Sequence, residues 1–150
     1  SEPWKRYVGE DENGVCIWLT DEVRVTQADV RKIQLAKAPI AAGIQILLQE
    51  KDWKIKDIDQ VILAGGFGSY MRKESAAEIG LIPKELVKCT HSVGNAAGEG
   101  AVSAALASEA RTELEQLQKQ MRYVELSTHE AFSDIFIREM SFTNSYMRSE

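Results

Sequence analysis

Three glycines within four residues, Gly65-Gly66-Phe67-Gly68, follow directly on the apolar run Val61-Ile62-Leu63-Ala64. A chain corner without Cβ atoms lets backbone N–H groups approach a phosphate or a sugar, and glycine permits the positive φ that such a corner needs. The plainer alternative is a tight strand-to-helix turn whose small residues only allow close packing. This corner is not a Walker loop, because no Gly-Lys-Ser/Thr follows it. It also misses the last glycine of the dinucleotide fingerprint, where Met71 stands. A second turn, Ser92-Val93-Gly94-Asn95, offers Asn95 as a helix N-cap and leads into Ala96-Ala97-Gly98-Glu99-Gly100-Ala101, two helical turns almost without bulk. Such a helix must lie close against something, either another backbone or a flat ligand. Gln34 and Lys37, at i and i+3 of a helical stretch, project from one face. A solvated polar face is the ordinary explanation for such a pair.

Nucleophilic and acid–base chemistry finds no support in these residues. His91 and His129 are solitary, and Ser69 lies in Gly68-Ser69-Tyr70 rather than in a Gly-x-Ser-x-Gly elbow. Asp57 and Asp59 read as turn charges, and Glu109, Glu113 and Glu115 as an exposed helix face. None of these forms a pattern of metal ligands, and no residue is assigned as catalytic.

The elements that must position the glycine corners follow from periodicity. Strand-like runs around Tyr7-Val8, Val15 to Leu19 and Val23 to Val25, punctuated by Asn13-Gly14 and Thr20-Asp21, predict one or two hairpins. Thr26 and Asp29 form a capping-box start for a helix from about Gln27 to Gln49, which Pro39 should kink or split. Val61 to Ala64, with no polar alternation, predicts a strand covered on both faces. A short helix from Lys73 to Ile79 should stop at Gly80, before Pro83. Val87 to Thr90 reads as a strand, Ala96 to Met121 as one long helix, and Tyr123 to Leu126 as a late strand. Ser127 with Glu130 predicts a capping box ahead of a helix lined by Phe132, Ile135, Phe136 and Met140. Strand, glycine turn and helix, repeated, is an α/β pattern with parallel strands, and such sheets bind ligands at the carboxyl ends of their strands. Both glycine turns fall at such ends.

Composition sets the outer limits. The 150 residues hold 18 Lys plus Arg against 23 Asp plus Glu and are 44% hydrophobic, which describes one soluble domain over residues 1–150 with 141–150 as a loosely held tail. A chain of this length buries roughly 68–70% of its unfolded surface and needs no staple. Cys16 and Cys89 are its only cysteines, so it cannot house a four-thiolate cluster alone, and two isolated thiols suit a reducing, cytoplasmic setting. No apolar window is long enough to span a membrane, and the charge is neither basic nor striped as nucleic-acid binding requires. Ser1 in place of Met suggests a domain cut from a larger protein.

Five strings, in order, resemble a known family. They are Gln34-Leu35-Ala36-Lys37-Ala38, Ala64-Gly65-Gly66-Phe67-Gly68-Ser69-Tyr70, Ile79-Gly80-Leu81-Ile82-Pro83, Val93-Gly94-Asn95-Ala96-Ala97-Gly98 and Val124-Glu125-Leu126-Ser127-Thr128. Together they look like the carboxy-terminal ATPase domain of the reductive activators of corrinoid-dependent methyltransferases, a branch of the actin, sugar-kinase and heat-shock-chaperone ATPases. The resemblance covers about Val25 to Phe142. It implies a ribonuclease H-like, actin-like half-domain, a mixed sheet with a parallel portion flanked by helices. It further implies that Gly65, Gly66 and Gly68 pass beneath the phosphates and ribose of ATP, that Phe67 shapes the turn or the adenosine wall, that Gln34 and Lys37 face the adenine side and that Asn95 steadies the second turn. Magnesium would be held by acid-and-glycine loops that precede this chain. An iron–sulfur domain elsewhere in the full-length protein would pass the electron to a cobalt(II) corrinoid protein or methyltransferase. Two other functions fit the sequence. One is a dimerisation or docking module, motivated by the apolar residues near Trp4, Trp18 and the 128–140 helix. The other is a fragment of a small-molecule kinase of the same fold.

Overall fold

Thr26 fixes where the longest helix begins. Its hydroxyl accepts the Asp29 N–H at 3.2 Å, and the Asp29 carboxylate accepts the Thr26 N–H at 3.1 Å, so two donors of the first turn are satisfied reciprocally. The computed structural model, which describes residues 3–12 and 14–142, extends this helix, α1, from Gln27 to Lys51. The expected break at Pro39 does not occur: α1 is one helix with Pro39 inside it. Proline removes the bond to the carbonyl of Leu35, but Leu35 is exposed, so water can serve that carbonyl. On the other side Ala38, Ala41 and Ala42 are fully buried and hold the helix through packing.

The same capping box makes α1 sensitive to acid. Hydrogen bonds from Thr26 hold the Asp29 carboxyl below its ordinary value, with Lys32 adding a smaller push in the same direction. A carboxylate whose folded pKa is depressed contributes stability above its unfolded value and loses it as the pH falls through the folded value. Acidification below about pH 4 should therefore loosen the first turn of α1, and Asp29→Asn should remove most of that pH dependence, as read from amide exchange of residues 27–30.

Before α1 the chain forms an antiparallel meander, β1 (Val8–Asp11), β2 (Gly14–Trp18) and β3 (Arg24–Thr26). The register pairs Val8 with Ile17 and Ile17 with Val25, so these apolar residues share one face. On the other face the Arg24 guanidinium lies 5.3 Å from the Trp18 ring and reaches the Asp11 carboxylate. Asn13, the predicted turn residue, lies outside the described residues, as does 143–150, most of the expected tail.

Two strands make up the parallel portion, which is separate from the meander: β4 (Val61–Leu63) and β5 (Thr90–Ser92), paired Val61 to Thr90, Ile62 to His91 and Leu63 to Ser92. The expectation that β4 is covered on both faces fails, since Ile62 is 56% exposed. Between them come α2 (Gly65–Tyr70) and α3 (Lys73–Glu78), with Gly80 following α3 as expected. Of the strand predicted at Val87–Thr90 only Thr90 is strand, opening β5, while Val87 to Cys89 belong to a 3-10 turn, Lys84–Cys89. The Thr90 hydroxyl and the Cys89 thiol both donate to the Leu86 carbonyl, at 2.7 and 3.3 Å, and close the turn locally.

The long helix expected from Ala96 to Met121 is broken at Ala107, whose backbone is extended, into α4 (Ala96–Leu106) and α5 (Ser108–Gln120). Neither helix has a buried residue. The predicted strand Tyr123–Leu126 has no ladder partner among the described residues; Glu125 instead accepts from the Ser127 N–H and hydroxyl, and a 3-10 turn spans Leu126–Thr128. Ser127 is thereby withdrawn from the expected capping box, and the last helix, α6, starts later, at Phe132, and ends at Glu139.

Two apolar seams hold these parts to α1. Ala42 and Ile46 pack against Ile135 of α6, with Phe132 and Phe136 beside them. Ile44 lies against the cluster of Ala76, Ala77, Leu81 and Ile82, which Met71 also touches. The predicted apolar face of α6 is therefore present, and it lies on α1. Among the described residues no helix is long and apolar enough to cross a membrane.

Candidate nucleotide half-site

Parallel pairing carries β4 and β5 in the same direction, so their carboxyl ends share one edge. The ladder then continues past both strands. The Val93 N–H donates to the Leu63 carbonyl at 3.0 Å, and the Gly65 N–H donates to the Gly94 carbonyl at 2.5 Å. The two glycine corners are thus in direct hydrogen-bonded contact. Gly65 at φ +82° and Gly94 at φ +58° both occupy the left-handed region, which a side chain would strain.

Space stands open around these corners. A Cβ added at Gly65, Gly66, Gly94 or Gly100 would meet no heavy atom within 4 Å. Of the remaining corner residues, Phe67 and Gly68 lie within α2, which opens directly at Gly65. The first N–H of α2, that of Gly65, is taken by the Gly94 carbonyl.

Asn95 caps α4 as its position predicts, its side-chain oxygen accepting the Gly98 N–H at 3.0 Å. Gly98 leaves room for that side chain: a Cβ there would stand 2.5 Å from the Asn95 amide nitrogen. Asn95→Ala should cost about 1 kcal/mol and lower the melting temperature by roughly 2–4 °C, measured by thermal unfolding of the variant beside the unaltered chain. Behind the second corner, the Lys73 ammonium on α3 donates to the Thr90 carbonyl at 3.2 Å and steadies the start of β5.

Gln34 and Lys37 are placed differently from each other. Gln34 is half-buried on α1, whereas Lys37 is only 1% exposed and lies within the α1–α6 contact. Its ammonium stands 3.9 Å from the Glu139 carboxylate, itself 1% exposed, and donates no hydrogen bond. Burial holds the Lys37 pKa below the usual lysine value, and the charge of Glu139 opposes that push. Glu139 also accepts from Gln45 at 2.7 Å, and Gln45 in turn accepts from Arg138 at 2.6 Å. Glu139 and Gly94 escaped assignment at the sequence level. A lone acid next to the apolar positions Ile135 and Phe136 was the available signal for Glu139, and a glycine matching Gly65 at the end of the next strand was the signal for Gly94.

A shallow hollow elsewhere is walled by Glu50, Arg122, Tyr123, Glu125 and His129, with Arg122 donating to Glu50 at 2.6 Å, and it includes no corner residue. Among the described residues no group of three or more His, Cys, Asp or Glu could hold a metal ion. Cys16 is buried and Cys89 half-buried, both as free thiols.

A parallel α/β edge with two glycine corners fits an actin-like fold, and comparison with known proteins agrees. The chain belongs to the family described as the C-terminal domain of RACo, the ASKHA domain, which matches residues 5–149. It is 30% identical over 156 residues to the corrinoid activation enzyme RamQ of Eubacterium limosum, covering 98% of this chain and 26% of that protein. It also resembles the solved structure of a reductive activator for a corrinoid, iron–sulfur protein, with a TM-score of 0.76 and 34% identity over 89% of this chain and 22% of the other. The chain thus spans about a quarter of the length of these relatives.

Proposed function

We propose that this domain forms one wall of an ATP-binding cleft in a protein that reductively activates a corrinoid protein or a corrinoid-dependent methyltransferase. The observation that carries the reading is the contact between the corners, Gly65 N–H to Gly94 carbonyl at 2.5 Å, with open space where side chains would otherwise stand. Backbone at such an edge can lie against phosphate and ribose without a Cβ intervening. The relatives' names supply the corrinoid partner.

The residues present fit a nucleotide but not the other groups that the family implies. Two cysteines cannot supply four thiolates, and among the described residues no group of three or more His, Cys, Asp or Glu could hold a metal ion, so the proposal assigns the iron–sulfur cluster and the magnesium ligands to regions outside these residues. What this chain does is bind and orient. Gly65, Gly66 and Gly68 form the floor under the phosphates and ribose, Phe67 belongs to the turn between them, Asn95 fixes the second corner by capping α4, and Gln34 and Lys37 lie on the helix assigned to the adenine side. If a complete cleft binds at micromolar level, about −8 kcal/mol, one wall with half the contacts retains on the order of −4 kcal/mol, a millimolar site. Titration of ATP into the complete polypeptide, with and without Gly66→Val, tests the reading. Equal affinities would remove the glycine corner from the site.

A further inference from the structure

An antiparallel sheet with one face on the core ordinarily turns its apolar residues inward and its polar ones to water. In the meander of β1, β2 and β3 that order is reversed. The face that bears the buried Cys16 also carries Asp11, Arg24 and Thr26. The outward face carries Val8, Val15, Ile17 and Val25, and the alternation runs on through Leu19 and Val23, joined by the Leu19 N–H to the Val23 carbonyl at 2.8 Å. Of the strand residues on this outward face only Glu10, opposite Val15, is charged. Val8, Val15, Ile17, Leu19 and Val23 are between 41% and 59% exposed. A one-residue slip would turn them inward, but the ion pair of Arg24 with Asp11 and the burial of Cys16 hold the register as it stands. Branched apolar side chains set side by side on three strands form a contiguous patch, and such a patch marks a surface that meets another.

We propose that the outward face of the meander is a docking surface, covered in the complete polypeptide by an apolar face of the region that precedes this domain. The family is that of a C-terminal domain, and this chain spans about a quarter of its relatives, so most of those proteins lies ahead of the matched residues. A chain arriving from that direction passes through the 3-10 turn Pro3–Tyr7 directly into β1 at Val8, and reaches the meander before any other element. The meander in turn runs from β3 through Thr26 into α1 without a loop. A region seated on the outward face is therefore tied by continuous backbone to the helix that packs against α6. The proposal stands apart from the nucleotide reading, and its test needs no ligand.

Hydroxyl-radical footprinting of the complete polypeptide reads the cover directly. Half-exposed side chains react within about twofold of their rate in the unfolded chain, whereas covered ones should react at least about fivefold more slowly. Val15, Ile17, Leu19 and Val23 should fall in the second group. In Ile17→Lys, which sets an ammonium within the covered face, Val15, Leu19 and Val23 should regain reactivity by about threefold, while Ile46 and Ile135 stay protected because the α1–α6 seam is intact. Reaction of all four residues at the half-exposed rate in the unaltered polypeptide would overturn the proposal. Protection that disappears on dilution, where sedimentation shows only monomers, would overturn it too and assign the face to a second copy. Unchanged protection in a folded Ile17→Lys protein also counts against it. Should Ile17→Lys not fold, the footprint and its dilution on the unaltered protein decide alone.

Discussion

Gly66→Val should weaken ATP binding to the complete polypeptide by at least about 100-fold, or roughly 2.7 kcal/mol, while leaving its melting temperature nearly unmoved. The two halves of that expectation come from different observations. Gly66 lies inside α2 at negative φ, and an added Cβ meets no heavy atom within 4 Å, so a β-branched residue fits the folded chain. Valine is also slightly better than glycine in a helix, by a few tenths of a kcal/mol. Its methyl groups would fill the open space in which ligand and backbone must meet. Gly65→Val, by contrast, forces a side chain to φ +82° and should lose stability as well as binding. Under the proposed function, Gly66→Val should also abolish ATP-dependent corrinoid activation by the complete polypeptide. Full ATP affinity in a folded Gly66→Val protein would contradict the proposed site.

Lys37→Met should be the most damaging single change to stability, at about 3 kcal/mol and a fall of roughly 6–12 °C in melting temperature. It removes one of the two cationic neighbours of a fully buried carboxylate, Glu139, leaving Arg138 at 3.8 Å. The double variant Lys37→Met/Glu139→Leu should recover most of the loss, since apolar residues of similar volume often replace a buried pair at no net cost. Calorimetric unfolding of the two variants checks both statements. A double variant less stable than Lys37→Met would mean that Glu139 is held chiefly by Gln45 and Arg138.

Local chemistry was legible in the sequence wherever its partners lie within a few residues. The Thr26–Asp29 box, the Asn95 cap and the stop at Gly80 all involve contacts one turn away, and all three are present. Where local side chains compete, periodicity misled. Val87 to Cys89 has the composition of a strand, but Thr90 and Cys89 turn back onto the Leu86 carbonyl. Ser127 was predicted as a cap, yet Glu125, two residues earlier, takes it first. At Pro39 tertiary packing of three buried alanines overrode a strong local breaker. The break at Ala107 carries no glycine or proline, and nothing in the sequence pattern marks it.

The site divides in the same way. The places of Gly65 at a strand end and Asn95 at a cap were legible because both are short-range features, and the meeting of the two corners followed from parallel topology. The burial of Lys37 could not be foreseen, because it depends on Glu139, which enters from a helix near the other end of the sequence. At i and i+3 of a helix, Gln34 and Lys37 look equivalent; the fold exposes one in part and encloses the other.

The bond from Gly65 to the Gly94 carbonyl makes the two corners a single rigid rim, since neither can retreat without breaking the ladder that continues from Leu63 and Val93. Ligand capture at this rim is consequently not a matter of a supple loop folding over its guest. Under the proposed function, closing and opening would fall to an opposing lobe swinging about a hinge, and the residence time of a nucleotide would be set by how fast that lobe departs.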